Sequence, residues 1–341
     1  MAVAEELRAS GAEVSFLGTR ERIEAELVPA AGYEIDFVKV RGIDRRNPLR
    51  AARAGAEALA AVGAARKVLR RRGADVVLGG GGFVAGPAGL AATLTGTPLV
   101  LTEADSHLGL ANRLLARRAR RVCLAFPIEG REGEPYLVTG RPVPRAVLEG
   151  DRDAARRRFG IGAGDRCLLV FGGSQGAHSI NLAAIEAFAE GGERDFHVLH
   201  IAGRRDFEEL ERRLALAPHG DRYTLLDYEP NLGDSLAAAD LVVARSGGSI
   251  FEVVAAGRPA VLIPYPFATG DHQTANAEWM REAGAASVVP DAELSAERLQ
   301  AEVAAAIEDG PRLEAMAGSA RALARPDAAR QIANEVLEAA A

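Results

Sequence analysis

Three clusters of glycine stand where short apolar runs give way to helical patterns. Gly79-Gly80-Gly81-Gly82-Phe83-Val84-Ala85-Gly86-Pro87 follows Val76–Leu78, Gly172-Gly173-Ser174-Gln175-Gly176-Ala177 follows Cys167–Phe171, and Arg245-Ser246-Gly247-Gly248-Ser249 follows Leu241–Ala244. A turn from strand end to helix start leaves N–H groups unpaired beneath the positive end of the helix dipole, which suits phosphate. A single such turn is a weak sign, because any sharp strand-to-helix turn favours glycine; three in one chain are a stronger one. No Gly-Lys-Ser/Thr of a P-loop follows any of them, and none completes a G-x-G-x-x-G with an acid about 20 residues on, so dinucleotide-dependent hydride transfer is poorly supported.

Two polar groups lie near the third turn. Glu252, one helical turn after Ser249, can close a capping box or accept both hydroxyls of a ribose, and the residues alone leave the two readings open. Asp271-His272-Gln273 opens a helix with an acidic cap, and Gln273 shares a face with Asn276, from which both could bond sugar hydroxyls. There is no H-x-x-H, D-x-D or cysteine pair to suggest a metal, so neither metal nor cofactor is expected. Cys123 and Cys167, the two cysteines, each sit in an apolar run and read as buried thiols of a reducing compartment.

The elements that must position these groups alternate regularly. Apolar runs without polar alternation, expected as strands, are Val14–Leu17, Ile35–Val40, Val76–Leu78, Leu99–Thr102, Val122–Ala125 and Leu137–Thr139, then Cys167–Phe171, His197–Ile201, Tyr223–Leu226, Leu241–Ala244, Ala260–Ile263 and Ser287–Val289. Helix patterns such as Leu49–Arg72, Gly109–Ala119, Ser179–Glu190 and Thr274–Ala283 separate them. That alternation indicates an α/β chain with parallel sheets covered on both faces. The segment TGRPVPRAVLEGD, with two prolines between a strand and a new helix start, marks a seam near Gly140–Asp151 and leaves about six strands, enough for one doubly wound sheet, on each side. The expected division is 1–144, 145–325 and a last helix over 326–341.

Length, 341 residues, fits two domains, and the net charge of −6 argues against a nucleic-acid binder. Against that acidic background, residues 41–72 carry ten Arg/Lys and two acids. With Ile43, Pro48, Leu49 and Leu59 among them, they read either as a patch for an anionic membrane surface or as a solvated arginine-rich face. Val76–Thr102, free of charge, is long enough for a bilayer but is broken by Gly and Pro, and no secretory signal opens the chain. A cytoplasmic protein with peripheral membrane contact is expected.

Taken together the segments GGGGFVAGPAGLAA, LTEADSHLGLANRLLARRA, FGGSQGAHSIN, ADLVVARSGGSIFEVVAAGRPAVLIPYP and DHQTANAEWMREAGAA resemble the MurG family of UDP-N-acetylglucosamine transferases of peptidoglycan synthesis, in order and spacing from about residue 75 onward. The resemblance implies a GT-B fold, two Rossmann-like domains facing a cleft, with the last helix crossing back to the first domain. It implies that the second domain binds UDP-N-acetylglucosamine: Ser174 and Gln175 at the diphosphate, Gly247, Gly248, Ser249 and Ile250 around phosphate and ribose, Glu252 at the ribose hydroxyls, Gln273 with His272 at the sugar, and backbone near Tyr228-Glu229 at uracil. Asn112 would reach the donor from the first domain.

The implied reaction moves N-acetylglucosamine, with inversion, to the 4-hydroxyl of the muramoyl unit of an undecaprenyl-diphosphate-linked muramoyl-pentapeptide, at the cytoplasmic face of the membrane and its anionic lipids. Such a displacement needs a base at the acceptor hydroxyl: the histidine of the family's opening turn is one candidate, and among the residues present Glu103 is the first, with His107 or Asp105 the lesser ones. Four departures bear on this. The family's opening strand and G-G-T-x-G-H turn have no counterpart before Met1-Ala2-Val3, as a misassigned start, a fragment or a damaged copy would have it. Gly140-Arg141-Pro142-Val143-Pro144-Arg145 displaces the family's arginine by one, which puts a donor contact of Arg145 in question. The turn at Arg245-Ser246-Gly247 is one residue short, and His178 replaces an arginine. The alternatives are another GT-B enzyme, such as a UDP-sugar 2-epimerase or a different UDP-glycosyltransferase, and a non-catalytic nucleotide-sugar-binding remnant.

Overall fold

A computed structural model describes residues 1–40, 48–173 and 176–341, with the backbone alone for residues 48–56 and Thr269. The chain forms two compact units, Met1–Pro142 with Asp327–Ala341, and Val143–Pro326. All strand pairs are parallel. The α/β fold class expected from the apolar runs is what the chain adopts.

In the first unit the elements are α1 (Ala2–Ala9), β1 (Ser15–Gly18), α2 (Glu24–Ala30), β2 (Glu34–Phe37), α3 (Pro48–Arg72), β3 (Val77–Gly79), α4 (Gly82–Thr95), β4 (Leu99–Glu103), α5 (Leu110–Leu115), β5 (Arg121–Leu124) and β6 (Tyr136–Val138), and the C-terminal helix Ala328–Ala340. The amphipathic C-terminal helix lays Ile332, Ala333 and Val336 beside Val3 and Leu7 of α1, over Val100 and Cys123. Burial pushes the Cys123 thiol up to about 12, as fits an inert core thiol. Where one sheet per half is expected, the described residues of this unit form two: β1 pairs with β2, and β3-β4-β5-β6 form a separate sheet. The same helices nevertheless cover both, since α1 packs on Val14 and on Val76 and Leu78, and Val62 and Ala65 of α3 pack with Leu17 and with Ala91 of α4. Helix packing thus holds together two sheets that no ladder joins among the described residues.

In the second unit follow α6 (Arg145–Leu148), α7 (Arg152–Phe159), β7 (Arg166–Phe171), α8 (His178–Ile185), β8 (Phe196–Ile201), α9 (Phe207–Leu216), β9 (Tyr223–Leu226), α10 (Leu232–Ala238), β10 (Leu241–Ala244), α11 (Ile250–Ala255), β11 (Ala260–Leu262), α12 (His272–Glu282), β12 (Ala286–Val288), α13 (Ala296–Ile307) and α14 (Gly310–Leu323). The sheet order is β12-β11-β10-β7-β8-β9. Beyond the exposed Arg166 that opens β7, its central strands β7 and β10 are apolar because helices cover both faces; Leu168, Val170, Leu241 and Val243 share one core with Ile180, Phe188, Val303 and Ile307. The chain runs outward from β7 in one direction through β8 and β9, then returns to its other side with β10. That reversal is the switch point at which open α/β sheets bind ligands, at the carboxyl ends of the strands.

The opposite end of β10 is fixed by charge. Asp240 accepts from Arg152 at 2.5 Å, from Arg156 at 2.8 Å and from the Cys167 N–H at 2.8 Å. Arg152, Arg156 and Arg258 also donate to carbonyls of Ala237–Ala239, the unpaired acceptors at the end of α10. Burial lowers Arg258 to about 10.

Candidate functional site

Phe171 and Ala244 are paired in register across β7 and β10, so the glycine turns that leave them start side by side at the switch point. The first turn closes tightly on itself: the Gly176 N–H donates to the Gly173 carbonyl at 3.0 Å, and a Cβ on Gly172 would lie 2.2 Å from the Ala177 nitrogen. Ser174 and Gln175 of this turn lie outside the described residues. The second turn is anchored by Ser246, fully buried, whose Oγ donates to the Gln273 carbonyl at 2.7 Å and whose own carbonyl accepts from Asn276 Nδ2 at 2.9 Å. Beyond it the N–H groups of Gly247, Gly248 and Ser249 take no partner among the described residues. Ile250 is buried as the first residue of α11, so its side chain packs in the core and its backbone carries the turn onward. Glu252 lies in the first turn of α11.

Gln273 stands against this turn. Its Oε1 accepts from the Tyr265 N–H at 3.0 Å, which directs Nε2 toward Gly247, where a Cβ would lie 3.6 Å from it. An amide held in this way offers a ligand N–H donors. Its helical neighbour Asn276 is a different case: buried and bonded to Ser246, it supports the turn and is not available to a sugar. His272 is the first residue of α12, half-buried.

Behind the first turn runs a buried polar chain. Asn181 Nδ2 donates to the Ala202 carbonyl and to Asp206 Oδ2, both at 2.8 Å. Its Oδ1 therefore accepts from His200 Nε2 at 3.0 Å, and the bare His200 Nδ1 accepts from the Tyr223 hydroxyl at 2.7 Å. Complete burial holds His200 at about 3, so this ring is neutral. Burial works to raise the pKa of Asp206, but hydrogen bonds from Arg205 and Asn181 outweigh it and bring it down. His178, at the start of α8, lies 3.3 Å from the same carboxylate. Asn181, His200 and Tyr223 are remote from one another in sequence, and only the polar Asn181 in an apolar helix hinted at them.

Glu229 belongs to the supporting structure. The Glu229 carboxylate is buried, 2.6 Å from Arg158, and accepts from the Asn231 N–H at 2.7 Å, which shapes the loop after β9 and takes this side chain away from a ligand. Arg145 is exposed and ion-paired with Glu149 at 2.6 Å.

In the first unit the structure corrects the expected roles of Glu103 and Asn112. Glu103, 8% exposed at the end of β4, accepts from the N–H groups of Ala104 at 3.0 Å and Asp105 at 3.3 Å through one oxygen, and from Gly109 at 2.8 Å and Asn112 Nδ2 at 2.9 Å through the other. Four donors saturate this carboxylate, so it shapes the loop 104–109 rather than abstracting a proton. Asn112 is 1% exposed and divides its Nδ2 between Glu103 and the Thr102 carbonyl; it holds the loop instead of reaching out to a donor. His107 is exposed on that loop and Asp105 half-buried.

The basic stretch is partly neutralised. Arg72 Nε lies 2.9 Å from Asp36, and Arg71 also pairs with Asp36, while Lys67 and Arg70 are exposed; Arg41, Arg45 and Arg46 lie outside the described residues. Among the described residues there is no group of three or more His, Cys, Asp or Glu able to hold a metal ion.

Residues 1–124 match the glycosyltransferase family 28 N-terminal domain and residues 167–332 its C-terminal domain. The chain is 41% identical, over all of its length and 94% of the relative's, to the UDP-N-acetylglucosamine--N-acetylmuramyl-(pentapeptide) pyrophosphoryl-undecaprenol N-acetylglucosamine transferase of Methylococcus capsulatus. The crystal structure of Acinetobacter baumannii MurG superposes with a TM-score of 0.78 at 28% identity, covering 99% of this chain and 94% of that one. A UDP-GlcNAc 2-epimerase from Neisseria meningitidis bound to UDP-GlcNAc is similar at a TM-score of 0.68 but 15% identical, over 99% and 95% of the two chains, a likeness of fold alone.

Proposed function

The chain belongs to the MurG family of glycosyltransferases with the GT-B fold, and we propose that it transfers N-acetylglucosamine from UDP-N-acetylglucosamine to the 4-hydroxyl of the muramoyl unit of an undecaprenyl-diphosphate-linked muramoyl-pentapeptide, inverting the anomeric carbon. The observation that carries this reading is the pair of glycine turns leaving the registered residues Phe171 and Ala244, with N–H groups at Gly247–Ser249 that take no partner among the described residues. In the transfer, a bond forms from the acceptor oxygen to the anomeric carbon and the bond to the diphosphate oxygen breaks. UDP departs with the electron pair, and the hydroxyl proton passes to a base. Fixed N–H donors at the diphosphate stabilise the charge that gathers there. Glu252 takes the ribose hydroxyls, Gln273 donates to sugar oxygens, and backbone beside Glu229 meets uracil. For the proton, the loop held by Glu103 offers His107 and Asp105.

No helix among the described residues is long and apolar enough to cross a membrane. The reading places the enzyme at the cytoplasmic membrane surface as a peripheral protein. Exposed Leu59 of α3, Phe83, Leu90 and Leu94 of α4, and Leu110 and Leu114 of α5, among the exposed cations Lys67, Arg70, Arg113 and Arg117, support contact with anionic lipid. Incubation with UDP-N-acetylglucosamine and the lipid acceptor tests the whole: transfer to lipid supports it. Epimerisation without acceptor, or binding with neither reaction, contradicts it.

A further inference from the structure

Arg245 opens the second glycine turn, yet its side chain is only 11% exposed. One guanidinium nitrogen donates to the carbonyls of Ile263 at 3.1 Å and Pro264 at 3.2 Å and lies 2.6 Å from Asp291 Oδ1. The other donates to Ser179 Oγ at 2.8 Å, and that hydroxyl donates onward to the same Asp291 oxygen at 2.8 Å. The guanidinium carbon lies 5.5 Å from the Tyr265 ring centre, and the Tyr265 N–H holds Gln273. One side chain thus ties together four segments: the turn after β10, the first turn of α8 directly beyond the Gly172–Ala177 turn, the loop after β11, and the residues following β12.

We propose that Arg245, Ser179 and Asp291 form a clip that sets the spacing of the two glycine turns and the approach of Gln273, making Arg245 a positioning residue for the diphosphate of the donor. The inference rests on the reading that this site binds UDP. Two observations separate positioning from direct phosphate contact. Asp291 neutralises the guanidinium, and every acceptor named for it belongs to the protein. The task also explains the residue type, because a planar fork of five N–H groups reaches several fixed acceptors at once, where an ammonium would reach fewer.

The test is calorimetric affinity for UDP and for uridine, measured on the full chain and on Arg245→Lys, Asp291→Ala and Ser179→Ala, well below each variant's melting temperature. A clip acting on the turns weakens UDP binding about tenfold in Arg245→Lys and Asp291→Ala, or ~1.4 kcal/mol. Uridine, which has no phosphate, should stay within about twofold of the parent chain. Equal losses for both ligands would mean a general scaffold role and overturn the proposal, as would unchanged UDP affinity. Tighter UDP binding in Asp291→Ala would mean that the freed cation contacts phosphate directly, which also overturns it. Ser179→Ala removes only one hydroxyl and keeps the test open if a larger change prevents folding. Failure of the parent chain to bind UDP would instead refute the functional reading itself, and the clip with it.

Discussion

Glu103→Gln separates a base from a structural carboxylate. The substitution preserves shape but replaces one acceptor oxygen with an NH2. Either orientation sets that group against two N–H donors, and the less costly one faces Ala104 and Asp105, the pair at 3.0 and 3.3 Å, keeping oxygen on Gly109 and Asn112 at 2.8 and 2.9 Å. Two bonds to a charged acceptor are lost and the remaining two become bonds to a neutral one. At about 1.5–3 kcal/mol for each bond to a charged group, with solvent recovering part at the loop, a net cost of about 2–4 kcal/mol follows. For a unit of this size that lowers the melting temperature by roughly 5–15 °C. Thermal unfolding read beside steady-state kinetics is the assay. The first unit should melt earlier, with acceptor KM rising as the loop 104–109 loosens. An unchanged melting curve with a collapsed kcat and normal KM values would refute it and restore Glu103 as the base.

Other consequences follow from the buried charges and sheet edges. His200 is held at about 3 by burial, against about 6.5 in an unfolded chain. The unfolded state therefore takes up a proton that the folded state refuses, and stability should fall as pH drops from about 6.5 toward 3, at up to ~1.4 kcal/mol per pH unit. Asp206, whose pKa is lowered, adds its own loss only below about pH 4; His200→Gln should flatten the upper part of the slope in pH-dependent denaturant unfolding. Asp240→Ala leaves Arg152 and Arg156 without their carboxylate and should cost about 3–5 kcal/mol in the same measurement, whereas a loss below about 1 kcal/mol would show that the α10 carbonyls suffice. Amide hydrogen exchange should be faster in β1 and β3, which no ladder joins among the described residues, than in β4 and β5 of the same unit; equal protection would contradict the split sheet.

Much of this was legible in the sequence because it is local. Runs such as Cys167–Phe171 and Leu241–Ala244 are apolar without alternation, and only a strand covered on both faces requires that. The glycine turns announced themselves for a similar reason: at Gly172 and Gly176 backbone lies where a Cβ would be. What the pattern did not reveal is which way a polar side chain faces. Gln273 and Asn276 share a helix face by spacing, yet one borders Gly247 and the other is buried beneath Ser246. Glu103 and Asn112 read as groups for chemistry, while their bonds to each other and to a loop serve structure. Arg245 looked like one residue of a turn, since its partners at 179, 263 and 291 are remote in the chain.

If the amides of the turn after β10 bind phosphate, titrating isotopically labelled protein with UDP will show it in the backbone amide resonances. The Gly247, Gly248 and Ser249 signals should shift saturably, with the strand amides of β4 and β5 unmoved. Saturable binding that leaves those three signals in place, or no binding by folded protein, would contradict it.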